Sequence, residues 1–169
     1  MAVELRQLSV CDGRNVYEML QDIGSDEYGF TNEVNGMTYD EYKQWLVKQD
    51  AYSRAEKLPP GWIPQTTYFL FVDEQPVGIA CIRHHSSEEL EKRGVGNFGY
   101  AIARAYRGQG YGNLLFEKVL PQCKALGYTK IKSFVYIENA ASNRVFVRHQ
   151  ATLLGIYHGE KNIYETLVP

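Results

Sequence analysis

The sequence lacks paired cysteines, long apolar runs and a large excess of charge. Its three cysteines are far apart and form no CxxC pair, which argues against a disulfide framework or a zinc site. No apolar stretch reaches the eighteen or so residues of a membrane helix, and the first ten residues carry charges where a signal peptide would be apolar. A formal net charge of −2 gives no general attraction to nucleic acid. We therefore expect a cytoplasmic protein without a metal, a nucleic-acid partner or a membrane partner, with Cys11, Cys81 and Cys123 buried as small apolar side chains.

The composition is that of an ordinary globular protein. Of its 169 residues, 44% are hydrophobic and 22% are charged, so the chain can bury a substantial core. We find no repeat, low-complexity tract or linker, and we expect one domain over residues 1–169.

Hydrophobic periodicity predicts strands and helices in the order β α α β β β α β α β β. This order predicts an α/β (α+β) fold with a mixed, mostly antiparallel sheet of six or seven strands, flanked by about four helices. The predicted strands are 3–9, 66–72, 76–84, 94–104, 130–137, 152–157 and 162–168. The predicted helices are 12–23, 38 to about 58, 110–126 and 139–149. A capping-box pattern at Thr38 and Glu41 opens the second helix, and Pro121 should kink or weaken the third. Residues 24–37 and 86–93 are predicted to be loops.

The stretch YRGQGYGN places three alternating glycines, Gly108, Gly110 and Gly112, between a predicted strand and a predicted helix. Glycine tolerates positive φ and lets a ligand approach the backbone, and free N–H groups at a helix start suit a phosphate. No Gly-Lys-Ser/Thr follows, and the glycine spacing is not GxGxxG, which removes the main support for a mononucleotide or NAD site. A tight strand-to-helix turn without a ligand is the alternative.

Two segments, GYAIARAYRGQGYGNLLFEKVL and ENAASNRVF, resemble the acetyl-CoA-binding motifs of the GNAT superfamily of N-acetyltransferases. The stretch IRHHSSEELEKRGVGNFGYAI is similar to that of one branch of predicted acetyltransferases. The resemblance implies a GNAT-like fold with acetyl-CoA as cosubstrate. It implies a cofactor site in which the backbone of Ile102, Ala103 and Arg104 pairs with pantetheine. Pyrophosphate would lie against Arg107, Gly108, Gln109, Gly110, Tyr111, Gly112 and Asn113, and the pantetheine arm near Asn139, Ser142 and Phe146. Asn139 is equally well explained as a helix N-cap.

The catalytic residues that this family commonly uses are missing. The strand before the loop, NFGYAI, has no carboxylate to serve as base, and Phe146 stands where a tyrosine acid normally lies. We predict Glu138 as a base acting through water and Tyr136 as the acid. Tyr100 is a second candidate acid, while His84 and His85 are weaker candidate bases.

The region before the second predicted strand is expected to form the acceptor wall. Its aromatic and acidic side chains favour an amine acceptor through cation–π and charge interactions, although several of them could simply be core. These are Tyr28, Phe30, Tyr39, Tyr42, Trp45, Tyr52 and Trp62, with Asp26, Glu27, Glu33, Asp40 and Glu41.

The leading hypothesis is an acetyl-CoA-dependent N-acetyltransferase acting on a primary amine of a small molecule or peptide, by direct attack in a ternary complex. A non-catalytic acyl-CoA sensor and a GNAT enzyme using another acyl-CoA remain as alternatives. Homodimers are frequent in the superfamily, so the resemblance also makes a homodimer an expectation.

Overall fold

The computed structural model describes all residues from Met1 to Pro169, and it contains nine strands and five α-helices. The strands are β1 (Val3–Gln7), β2 (Asp26–Glu27), β3 (Phe30–Thr31), β4 (Gln65–Val72), β5 (Gln75–Arg83), β6 (Phe98–Ile102), β7 (Lys130–Tyr136), β8 (Thr152–Tyr157) and β9 (Lys161–Leu167). The helices are α1 (Arg14–Gln21), α2 (Tyr39–Ser53), α3 (Glu88–Lys92), α4 (Tyr111–Ala125) and α5 (Ala140–Arg148), with a 3₁₀ turn at Arg104–Tyr106.

The strands form two antiparallel sheets and one short hairpin. One sheet has the order β1-β4-β5-β6, the other has the order β7-β9-β8, and β2 pairs only with β3. The predicted mixed, mostly antiparallel α/β fold is confirmed, but its seven main strands are divided between two sheets. The additional elements, α3 and the β2–β3 hairpin, lie in segments that were predicted to be loops.

Several local predictions can be compared directly with the structure. Thr38 and Glu41 form both hydrogen bonds of the capping box at the start of α2. Helix α4 continues through Pro121, because Val119 and Cys123 on either side are fully buried and hold it in place. The burial predicted for the cysteines is right for Cys123 and wrong for Cys11, which is exposed. None of the helices is long and apolar enough to cross a lipid bilayer.

Two apolar cores cover opposite faces of the β1-β4-β5-β6 sheet. On one face, α4 and α5 pack against the sheet through residues that include Leu70, Ile82, Leu115 and Phe116. On the other face, α1 and α2 pack through another set, which includes Leu20, Tyr42, Leu46, Phe69 and Ile79. The sheet is therefore buried on both faces. Its backbone is accessible only at the edges, of which β6 is one.

The two sheets meet at one end of β6 and β7 and separate beyond it. Asn97 donates its backbone N–H to the carbonyl of Lys132 at 2.9 Å, and its side-chain Oδ1 accepts the N–H of Lys132 at 2.6 Å. A Cβ on the neighbouring Gly96 would lie 2.4 Å from the Lys132 carbonyl oxygen, so only glycine allows this approach. No strand pairs with β6 on this side, so its edge is open to a cleft.

Candidate active site

The cleft between β6 and β7 contains two cavities. One, which we call the acceptor cavity, has a volume of about 550 Å³ and lies between the β2–β3 hairpin, β5, β6 and β7. The other, which we call the cofactor cavity, has a volume of about 780 Å³ and lies between β6, the glycine loop and α5. The two cavities share Glu27, Tyr28, Tyr100, Asn139 and Ser142 in their linings. A molecule bound in one cavity can thus meet a molecule bound in the other.

The glycine loop forms one wall of the cofactor cavity. Gly108 and Gly110 have φ of +75° and +84°, and a Cβ on either would meet no atom within 4 Å. No backbone N–H from residue 108 to residue 113 donates a hydrogen bond within the chain, because α4 begins at Tyr111 and its first bond is donated by Leu114. Free N–H groups at the positive end of a helix fit the pyrophosphate of CoA.

Other features of the loop agree with this fit. Tyr111, Gly112 and Asn113 also line the cofactor cavity. Arg107 lines the cavity and donates Nε–H to the carbonyl of Ile102 at 2.9 Å. Gln109 is exposed and does not line either cavity. Of this residue, only the backbone N–H therefore fits the predicted pyrophosphate contact.

The strand before the loop presents fewer groups to the cleft than the resemblance implies. Ala103 donates its N–H to the carbonyl of Val77 in β5, and Arg104 donates its N–H to the carbonyl of Asp22. We therefore do not place Ala103 or Arg104 in the cofactor site, which neither residue lines. Hydrogen-bonding direction alternates along an antiparallel strand, so the backbone groups of Tyr100 and Ile102 face the open edge.

The start of α5 brings three predicted residues to the cleft in different roles. Asn139 is the N-cap, accepting the Ser142 N–H at 3.2 Å, and it lines both cavities. Its side-chain amide N–H groups make no bond within the chain, so capping leaves them available to a ligand. Phe146 is only 2% exposed and stacks on Tyr164 at 5.0 Å, so it is mainly a core residue. It touches the acceptor cavity but cannot donate a proton.

A hydroxyl pair lies where the two cavities meet. Tyr100 donates its O–H to Oγ of Ser142 at 2.9 Å, which leaves the Ser142 hydroxyl proton available for another acceptor. Burial raises the pKa of Tyr100, and the hydrogen bond to Ser142 only partly offsets this effect. Tyr100 is therefore protonated at neutral pH, as an acid must be.

The other candidate acids and bases have different positions. Tyr136 lines the acceptor cavity. Glu138 is exposed and lines neither cavity, so its role as a base stays a prediction with no support from position. His84 also lies outside both cavities and bonds Thr66 Oγ1 through Nε2 at 2.7 Å, while burial lowers its pKa. His85 is exposed outside them as well.

Glu27 joins the β2–β3 hairpin to the glycine loop. Its side chain is 16% exposed and pairs with Arg104 at 3.2 Å and with Arg107 at 3.3 Å, while Oε1 accepts the Gly24 N–H at 2.8 Å. Burial opposes ionisation, but the Gly24 hydrogen bond and the two arginines outweigh it and lower the pKa of Glu27. The carboxylate is thus ionised at neutral pH and lies beside both cavities.

The aromatic residues expected at the acceptor wall divide into two groups. Tyr28, Phe30 and Trp62 line the acceptor cavity. Tyr39, Tyr42, Trp45 and Tyr52 do not, and Tyr42 is fully buried in the core between α1, α2 and the sheet. Of the acidic residues, only Glu27 and Glu33 line the cavity. The alternative explanation, core packing, is therefore correct for most of the α2 aromatics.

Sequence reasoning missed two residues that shape the cleft, and it named a third without its role in joining elements. Asn97 ties the two sheets and Arg83 lines the acceptor cavity, whereas Glu27, expected at the acceptor wall, also ties the hairpin to the glycine loop. The only local sign was the GVGN segment before β6, whose glycines separate a charged segment from an apolar run. The pairing partners of Glu27 are more than 70 residues away along the chain and have no pattern in the sequence.

Comparison with known proteins agrees with the fold and the cleft of this chain. The model of the acetyltransferase (GNAT) family matches residues 18–150. No curated protein sequence matches the chain. Among solved structures, a GNAT-family acetyltransferase from Streptococcus pneumoniae is similar with a TM-score of 0.65 and 18% identity, covering 99% of this chain and 100% of that one.

Two further structures have the same fold. The Salmonella typhimurium acetyl transferase that modifies the N-terminal serine of ribosomal protein L7/L12 has a TM-score of 0.68 at 17% identity, covering 100% of this chain and 96% of that one. Campylobacter jejuni N-acetyltransferase PseH, solved with acetyl coenzyme A, has a TM-score of 0.61 at 11% identity, covering 99% and 100%. Because the family model covers most of the sequence, the chain belongs to the GNAT family of acetyltransferases, acyltransferases whose cosubstrate is acetyl-CoA.

Proposed function

We propose that this protein is an N-acetyltransferase that transfers the acetyl group of acetyl-CoA to a primary amine of a small molecule or peptide. The observation that carries the proposal is the continuity of the cleft. A loop of free N–H groups lies at one end, the acceptor cavity lies at the other, and the Tyr100–Ser142 pair lies where they join. Two proteins of similar structure, one that modifies a protein N-terminal serine and one that is an N-acetyltransferase, agree with an amine acceptor.

The glycine loop and the β6 edge would hold the cosubstrate in place. N–H groups of residues 108–113 and the Arg107 guanidinium bind the pyrophosphate, and the open edge of β6 at Tyr100 and Ile102 hydrogen-bonds the pantetheine arm. The Asn139 amide donates to the same arm. This arrangement brings the thioester to the junction of the cavities, where a backbone N–H of β6 polarises its carbonyl.

An amine with a pKa of about 10.4 is mostly protonated at neutral pH, so the site must remove a proton before attack. We assign this step to Glu27, acting through water, because it is the one carboxylate that lies beside both cavities. Ser142, oriented by Tyr100, then gives its proton to the leaving thiolate as the C–S bond breaks, and Tyr100 replaces that proton. The attacking nitrogen loses its second proton to water, and Tyr100 regains a proton from water. Holding the amine beside the thioester supplies much of the remaining rate acceleration.

The first experiment is thermal melting with and without millimolar CoA or acetyl-CoA. We expect both ligands to raise the melting temperature of the wild type, because a ligand that binds only the native state stabilises it. Gly110→Trp should abolish the response, since an indole there fills the phosphate site. Gly159→Trp is the matched control: Gly159 also has positive φ and open space at its Cβ, but lies outside both cavities.

The outcomes separate the competing functions. An unchanged wild-type transition with either ligand would refute cofactor binding at this loop. A shift without thiol release across a panel of amines would favour the non-catalytic sensor. Thiol release that is faster with propionyl-CoA or succinyl-CoA than with acetyl-CoA would favour a different acyl donor.

A further inference from the structure

The charges of the acceptor cavity are unevenly compensated. Five charged residues line it: Glu27, Glu33, Arg83, Arg93 and Lys161. Both carboxylates have cationic partners outside the lining, since Glu33 pairs with Lys48 at 3.0 Å and Glu27 pairs with two arginines of the 104–107 turn. None of the three cations forms an ion pair. The cavity therefore has an excess of positive charge, although the whole chain is slightly acidic.

Arg83 is the most constrained of these cations. It ends β5 opposite Asn97, donates its backbone N–H to the Asn97 carbonyl at 2.9 Å, and accepts the Tyr128 hydroxyl on its own carbonyl at 2.8 Å. Its Nη1 donates to the Gly96 carbonyl at 2.9 Å. A guanidinium has five N–H donors, so this bond leaves enough for a bidentate contact with a carboxylate.

The environment of Arg83 makes such a contact energetically favourable. Burial lowers the pKa of its guanidinium, which shows that the group has lost much of its hydration. No carboxylate of the chain compensates for this loss. A partly buried cation without a counter-ion is costly, and a ligand carboxylate would relieve that cost.

The strand register gives the backbone offset between Arg83 and the junction of the cavities. Arg83 is level with Asn97, whereas the junction of the cavities is level with Tyr100, three residues further along β6. At about 3.3 Å per residue, the separation along the β6 backbone is roughly 10 Å. Between these points the cavity has apolar walls at Phe30, Phe134 and Val135.

We propose that the acceptor amine also carries a carboxylate, several bonds away from the amine, and that Arg83 binds it. This inference rests on the proposed acetyltransferase function and names the class of its acceptor. It replaces the cationic acceptor that the sequence suggested, because the acidic residues of the wall already have partners. Arg93 and Lys161 add positive charge to the same cavity.

The test uses ω-amino carboxylic acids of two to nine carbons, each compared with the n-alkylamine of matching length. We expect the acids of intermediate length to be acetylated with a kcat/KM roughly 10- to 100-fold above their matched amines, the range for a charge-assisted contact. Arg83→Gln should remove this preference, because it should lower kcat/KM for the acids far more than for the alkylamines. Arg83→Lys keeps the charge and should retain part of the preference. Lys124→Gln, an exposed cation in the last turn of α4, is the charge-matched control and should change nothing.

Binding provides a second readout. Trp62 lines the acceptor cavity, so its fluorescence should report ω-amino acids added to the protein saturated with CoA. The melting response to CoA shows whether each variant is folded. If the acids and the alkylamines are acetylated with equal kcat/KM, or bind equally well, the inference is overturned while the proposed acetyltransferase function stands. An equal loss on both series in Arg83→Gln would overturn it as well. Binding of acids over alkylamines without any thiol release would support the inference and count against catalysis.

Discussion

In the proposed mechanism, the hydroxyls of Tyr100 and Ser142 supply the proton of the leaving thiolate. Phe146, which stands at the usual tyrosine position of the family, is a core residue and leaves that role unfilled. The two hydroxyls make one unit, because one donates to the other at 2.9 Å. Removing either hydroxyl should therefore disrupt proton donation by the pair.

We predict that Ser142→Ala and Tyr100→Phe each lower kcat, by about 100-fold for Ser142→Ala, because general acid catalysis typically contributes at least that much. The double variant should be little worse than the serine variant. Steady-state kinetics with varied acetyl-CoA, together with the melting response to CoA, measure catalysis and binding separately. Tyr17→Phe is the control, since it also removes a partly buried tyrosine hydroxyl bond, to the Met37 carbonyl, and neither residue lines either cavity. Additive losses, or a weaker melting response with kcat unchanged, would contradict the assignment.

Glu27 and Glu138 are competing candidates for the base. Of the two, only Glu27 lies beside the cavities, so Glu27→Gln should lower kcat/KM at neutral pH. The kcat/KM of this variant should rise more steeply with pH than that of the wild type, because the amine is free at high pH and no longer needs a base. Glu138→Gln should behave like the wild type. A pH–rate profile of both variants decides between them, and a loss confined to Glu138→Gln would restore the assignment made from the sequence.

At the scale of secondary-structure elements, the Glu27 ion pairs connect the β2–β3 hairpin to the turn before α4. The folded-state pKa of Glu27 is lowered, so its stabilisation is present above the unfolded value of about 4.3 and is lost as the pH falls through the folded value. Both arginines are more than a third exposed, so the free energy of unfolding should drop by only about 0.5–1 kcal/mol in Glu27→Gln at pH 7.

Urea titrations at pH 7 and at pH 3 measure this difference, which should be smaller at pH 3, below the unfolded pKa of the carboxyl. Glu138→Gln, an exposed glutamate without an ion pair, should have no effect at either pH. A Glu27→Gln loss of equal size at the two pH values would mean that the side chain acts through packing rather than charge.

Strands β6 and β7 do not pair with each other, and the side chain of Asn97 connects them instead. Its amide also donates to Ser86 Oγ at 3.1 Å, and the residue is only 4% exposed. Asn97→Ala leaves the Lys132 N–H without its partner, so we expect a loss of about 2–3 kcal/mol in the free energy of unfolding. Chemical denaturation measures it, with Asn15→Ala as control, since Asn15 is exposed and its side chain bonds only the N–H of the next residue. A loss below about 0.5 kcal/mol would show that the backbone bond alone holds the sheets together.

Elements with strong periodicity could be predicted from the sequence, and elements fixed by distant contacts could not. The β4–β5 hairpin and the α4 amphipathic pattern are local, and both appear within one or two residues of the predicted bounds. Strand β6 begins at Phe98 rather than Gly94, because Gly94 adopts a φ of +73° that ends extended structure. The loop at residues 108–113 was predicted as a phosphate site from its glycines, whereas Arg83 and Glu27 depend on which strands and turns meet in space.

At the scale of the whole molecule, the order of elements was enough to predict the fold but not the division into two sheets. The junction that joins the two sheets depends on Asn97 and on the backbone approach at Gly96, neither of which has a periodic pattern. The homodimer expected from the family stays a prediction. Light scattering of the purified protein tests it, since a monomer has a mass of 19.3 kDa and a dimer twice that mass.

The open edge of β6 has a consequence for the solubility of the protein. An unpaired strand edge is normally a template for aggregation, because another chain can add to it. Here the edge lies at the bottom of a cleft, between the β2–β3 hairpin on one side and the start of α5 on the other. A slender extended ligand can reach it, whereas a strand belonging to a second sheet cannot. The same walls that form the cavities therefore also protect the protein from edge-to-edge association.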